Sequence, residues 1–170
     1  MSGFFEIPGL NVYLQIIVTI LSISVHLLLR RNRKRNESVS LIIAIYTIGL
    51  SGWFGIMSGL FGHIIFADQV AAGIGWPLDS GFQMELGFIS IGLGIVGFIS
   101  FWKWDFWLPF IIIKSIFMWG AAFTHIRDAV LHDNFAAGNI GIILYWDIIL
   151  PILLISLFLA SRKEVKARIK

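Results

Sequence analysis

Apolar residues in this chain come in five long blocks separated by short polar or basic stretches. The blocks are Leu10–Leu29, a segment within Ser38–Ile65, then Ser80–Trp102, Trp107–Ile126 and Asn139–Ala160. Each holds about the 20 apolar residues that a helix needs to cross the hydrocarbon of a bilayer. No block alternates as a half-buried strand does, and in lipid a helix satisfies all of its own backbone hydrogen bonds. The pattern predicts an all-α integral membrane protein, a single domain of about five transmembrane helices.

The polar breaks set an orientation. Eleven of the thirteen Lys and Arg residues fall in three places. Arg30, Arg31, Arg33, Lys34 and Arg35 follow the first block, Lys103 separates the third from the fourth, and Arg162, Lys163, Lys166, Arg168 and Lys170 follow the fifth. With five spans these groups share one side, so the positive-inside rule predicts the N-terminus outside and the C-terminus in the cytoplasm of a plasma-membrane protein. Lys114, inside the fourth block, either snorkels toward that side or pairs with an acid in the bundle. Only Arg127 lies on the other side. The first block is expected to be a retained span, because Glu6 precedes it and the arginines follow it, the reverse of a cleavable leader.

Composition agrees: 58% of residues are hydrophobic and 14% charged, against about 25% charged in soluble domains. Mean hydropathy is +0.87. The net charge of +3 belongs to the basic loop 30–37 and the tail 161–170, which suit anionic lipids better than nucleic acid. Cysteine is absent, which removes disulfides, thiolate metal sites and thiol catalysis. No serine lies in a nucleophile elbow, and the glycines of the third block lack the Lys-Ser/Thr of a phosphate loop.

Small and polar residues recur at helical spacing: Gln15, Thr19, Ser22 and His26; Thr47, Ser51, Gly55, Ser58 and Gly62; Gly87, Ser90, Gly94 and Gly97. Such stripes mark helix contacts in lipid, so they are expected to face one another and also permit a homo-oligomer or a place in a membrane complex. Trp102, Trp104 and Trp107 read as an aromatic belt at the inner interface, and Trp76 as an anchor at the outer one. In the outer connection, about 64–79, Asp68 is expected to cap a short helix that ends at Gly73 or Gly75, forming a lid. Ser80 and Gln83 fit a capping box for the third span.

The ionisable residues outside the basic groups gather toward the outer side: Glu85, His125, Asp128 and Asp147, with His63 near. Charges at membrane depth usually face the bundle interior or a cavity. Together with Gln83 and Trp76 they make the candidate site for a small ligand or ion. Three readings stay open. One is a structural network, for example Glu85 clasped to Arg127. Another is ion or proton handling. The third is a divalent metal or a haem held by His63 and His125. An enzyme acting on a lipid or quinone is a further alternative to the non-enzymatic reading.

Gly75-Trp76-Pro77, Phe82-Gln83-x-Glu85-x-Gly87, Gly120-Ala121-Ala122 with His125-Ile126, Asn134, Gly138-Asn139-x-Gly141, and Asp147 with Pro151 together resemble a prokaryotic family of small membrane proteins classed as a domain of unknown function. The resemblance runs from about Gly59 to Leu157 and implies a multi-span bundle without naming an activity. Size and architecture also resemble the DoxX type of small membrane protein, which implies redox work.

Overall fold

The structure, a computed structural model, describes residues 8–30, 37–78 and 80–169. Glu6, Arg31, Arg33, Lys34, Arg35, Asp79 and Lys170 lie outside the described residues, as do the side chains of Ser80 and Arg168. The described residues are helical and contain no strand. They form α1 (Leu10–Arg30), α2 (Val39–Met57), α3 (Ala67–Ile74), α4 (Ser80–Ile99), α5 (Trp107–His132), α6 (Ala137–Ile140) and α7 (Ile142–Ile169). A π-helical segment, Ser58–Ile65, extends α2, and a 3₁₀ turn, Trp104–Phe106, leads into α5. Five of the resulting helices are long and apolar enough to cross a membrane, so the chain is a multi-pass membrane protein.

Four of these helices close a ring: α2 packs on α4, α4 on α5, α5 on α7, and α7 on α2. α1 rides outside that ring against α2 and, more lightly, α7. Its anchor is polar. Gln15 is buried, donates to Ser51 Oγ at 3.0 Å and accepts from Trp146 Nε1 at 3.3 Å. His26, expected at an interface, meets the Tyr46 hydroxyl at 3.1 Å. Inside the ring, Leu41, Ala44 and Ile48 of α2 pack with Phe110, Ile111 and Met118 of α5 and Leu150 and Leu154 of α7.

α2 and α4 meet backbone to backbone through Gly52, Gly55 and Gly59 against Gly87, Gly94 and Gly97. The stripe expected on span two therefore splits. Ser51 bonds Gln15 of α1, whereas a Cβ at Gly62 would meet only Ser58 and Val70, and Gly59 takes its place against α4. The tryptophan belt is also corrected. Trp107 is fully buried and its Nε1 donates to the Ser100 carbonyl at 2.8 Å, at the end of α4, while Trp102 stays exposed. A carbonyl left over at a helix end needs a donor, and the indole supplies it.

The helix ends obey local chemistry. The Ser38 hydroxyl accepts from the Leu41 N–H at 3.1 Å, and the Glu164 carboxylate accepts from the Ser38 N–H. α3 ends at Gly75 in the left-handed region, φ +80°. Asp68 does not cap α3: it sits in the first turn behind the N-cap position, Phe66, where its charge suits the helix dipole.

Candidate functional site

The site is built where the α5–α7 seam meets the connections at one end of the bundle. α5 brings His125 on the buried face it shares with Met118, Ala122 and Ala129. α7 brings Asp147, whose side chain is 13% exposed. Pro151 is buried in α7 four residues after Asp147 and has no N–H to give its carbonyl, so the backbone there is short of one hydrogen bond. Gly141 interrupts the chain between α6 and α7, which sets the four-residue α6 across the end of the seam.

Asn139 of α6 is fully buried and organises this end. Its Nδ2 donates to the carbonyls of Asn134, at 2.8 Å, and His125, at 3.2 Å. Two carbonyl acceptors fix the amide, so its Oδ1 accepts from His125 Nδ1–H at 2.7 Å. That bond in turn fixes the histidine. With Nδ1 holding its proton for Asn139, Nε2 is the remaining position for exchange, and it faces Asp147 Oδ2 at 4.0 Å.

Above His125 lies the lid. Trp76 stacks on the imidazole with ring centroids 5.4 Å apart and 22° between planes. Its Nε1 donates to Asp128 Oδ2 at 2.9 Å. Asp128 also accepts from Asn134 Nδ2 at 2.6 Å and from His132 Nδ1 at 2.7 Å. Asn134 Nδ2 reaches the Ile74 carbonyl as well, at 2.8 Å, tying the loop after α5 to the end of α3. α6 seats against the same end: a Cβ at Gly138 would overlap the Gly73 backbone, and one at Gly75 would strike Asn134. Trp76 thus turns inward as a cover. Its N–H is satisfied by the Asp128 carboxylate.

Beneath the pair, Lys114 of α5 lies within electrostatic range of both Asp147 and His63, and its ammonium sits 5.6 Å from the Phe117 ring centroid. His63, in the π segment, donates from Nδ1 to Gln83 Oε1 at 2.8 Å. Gln83 is buried and its carboxamide serves the π segment; the capping box expected with Ser80 lies outside the described side chains. π segments are rare and recur at functional sites; here the extra residue per turn aims His63 at α4.

The structure therefore brings His125, Asp147 and Trp76 together directly, with Asp128 attached through the lid. His63 and Gln83 form a separate pair. Glu85 joins neither. It is exposed on α4, on the face opposite buried Gln83 and Gly87, and forms no ion pair with Arg127, which is exposed on α5. Among the described residues no three His, Cys, Asp or Glu side chains converge as metal ligands. Asn139 is the residue that sequence reasoning passed over. Its signal was an amide set among the apolar residues that open the fifth block, a position where polar groups face inward.

The chain belongs to a family of unknown function (DUF6790), whose model matches residues 10–167. The match covers the first two spans as well as the part with recognisable motifs. No curated protein and no solved structure matches the chain.

Proposed function

We propose that this protein is a non-enzymatic plasma-membrane protein that takes up and passes on protons at Lys114, His125 and Asp147, under the Trp76 lid. The observation that carries the reading is the arrangement of His125: Nδ1 is committed to Asn139, and Nε2 looks at a mostly buried carboxyl 4.0 Å away. One proton has two places to sit. On Asp147 it leaves a neutral imidazole and a neutral acid; on Nε2 it makes an imidazolium–carboxylate pair. Chains of acids and histidines inside a membrane recur as proton relays, and Lys114 balances whatever charge Asp147 carries. The ion bound by this polar cluster is then the proton itself.

The Lys and Arg distribution supports an orientation with the N-terminus and the lid outside and the C-terminal tail in the cytoplasm, against anionic lipid. Because the chain has no cysteine, a single Lys170→Cys change makes the tail's side readable with an impermeant thiol reagent.

The test is proton flux into liposomes holding the purified protein and a trapped pH-sensitive dye, driven by a potassium diffusion potential. Flux is expected from the unaltered protein and is lost in Asp147→Asn, which keeps shape and hydrogen bonding but cannot release a proton. Equal flux from the two proteins defeats the reading.

A further inference from the structure

Four hydroxyls in these helices close on their own backbone. Ser51 donates to the Thr47 carbonyl at 2.6 Å, Ser100 to Val96 at 3.0 Å, Thr124 to Gly120 at 3.0 Å and Ser156 to Ile152 at 2.7 Å. Two serines do not. Ser115 and Ser161 are 4% and 1% exposed, and neither hydroxyl has a hydrogen-bond partner. A buried hydroxyl left unpaired costs about 1–3 kcal/mol, so two of them along one helix seam call for a polar occupant.

Their placement says which. Ser115 shares the buried face of α5 with Ile111, Met118, Ala122 and His125. Ser161 lies on the buried face of α7 with Leu150, Leu154 and Val165. The two helices run in opposite directions and pack along their length. Counted from the His125–Asp147 pair, Ser115 lies ten residues down α5 and Ser161 fourteen residues down α7, roughly 15 and 21 Å at 1.5 Å per residue. The two free hydroxyls therefore stand at levels about 6 Å apart on facing helices. Between them and the pair, Met118, Leu150 and Leu154 close the seam. Lys114 precedes Ser115 on α5, and its ammonium lies 5.6 Å from the Phe117 ring centroid, toward His125.

We infer that Ser115 and Ser161 line a water-holding path that joins Lys114 and Asp147 to the membrane face where α5 begins and α7 ends. The inference rests on the proton reading above and deepens it: protons reach the site from the far face by way of Lys114, past the apolar Met118, Leu150 and Leu154. A hydroxyl offers one donor and two acceptors, enough for each serine to hold a water. A proton moves along such a file by breaking one O–H bond as the next forms, so the path delivers one proton to Asp147 with no other change. Beside the pair the titratable groups are Lys114 and His125 on α5, Asp147 on α7 and His63 on the π segment, and Glu85 of α4 points away; at the far end Lys103 and Asp105 precede α5, and Arg162, Lys163 and Glu164 follow Ser161 on α7.

The experiment compares Ser115→Ala, Ser161→Ala, the control Ser156→Ala and Asp147→Asn in the same liposomes, with thermal unfolding in detergent run on each. Ser115→Ala and Ser161→Ala are expected to unfold close to the unaltered protein, because neither hydroxyl bonds another protein group. Their flux is expected to fall on the order of a hundredfold, the lower edge of what a positioned proton-transfer group contributes. Ser161→Thr, which keeps the hydroxyl, restores it. Normal flux in both alanine variants beside a dead Asp147→Asn overturns the path and leaves the site standing. Normal flux in Asp147→Asn removes the proton reading and the path with it. Independently of flux, a lone Ser161→Cys is expected to react with a small water-borne thiol reagent in the folded protein; a thiol that stays unreactive also overturns the path.

Discussion

His125 gives its Nδ1 proton to Asn139 across 2.7 Å, and both residues are buried. That bond does two jobs. It holds the imidazole in the tautomer that presents Nε2 to Asp147, and it joins α5 to the short α6 that caps the seam.

Replacing Asn139 by Ala strands two groups at once, the Nδ1–H of His125 and the carbonyl of Asn134, while the His125 carbonyl keeps its helical partner in α5. Each unpaired buried group costs about 1–3 kcal/mol. Asn139→Ala is therefore expected to lose several kcal/mol of stability and to unfold well below the unaltered protein in detergent. A midpoint unchanged within error contradicts this geometry.

The stacked indole shields the histidine. Trp76→Ala should expose the imidazole to water, and His125 should then react faster with an acylating reagent, as followed by mass spectrometry of its peptide. Trp76→Phe keeps a ring over His125 and loses only the bond to Asp128. It should stay close to the unaltered rate and unfold only slightly earlier.

Glycine positions separate sharply. A Cβ at Gly52 would overlap the backbone of Gly97 and Phe98, whereas one at Gly120 or Gly92 meets nothing within 4 Å. Gly52→Ala must push α2 from α4 and is expected to be strongly destabilising. Gly120→Ala and Gly92→Ala should be neutral or gain up to about 1 kcal/mol from helix propensity. The order of unfolding midpoints across the three variants decides the matter.

Gln83 and His63 act as a pair. Gln83→Leu, His63→Leu and the double change form a thermodynamic cycle, with an expected coupling of about 1–2 kcal/mol because the residues share one hydrogen bond. Independent effects, as a helix-capping role for Gln83 would produce, show as additive losses.

Much of this architecture can be read from residue order alone. The five apolar blocks each became a helix of bilayer length, and Ser38 marks a helix start by its own side chain. Gly75 ends α3 because a glycine takes a positive φ without strain, although Gly73 offered the same freedom two residues earlier. The gathering of His125, Asp128 and Asp147 near one end follows from their positions along the spans, before any packing is known.

Which way each helix turns was decided by the tertiary structure. In a soluble helix the polar face points to water and betrays the rotation. Here lipid and core are both apolar, so the pattern around a span is nearly even and carries little rotational information. That is why Glu85 could be placed at the right depth and still face outward, and why Trp107 reads as a belt residue and lies in the core. The partners of Gln83 and Trp76 come from elements 20 and 52 residues away in the chain, where local spacing has no reach. Residue order set the number, length and depth of the helices through the cost of burying polar backbone in lipid; close packing set their rotations, and with them which polar side chains meet.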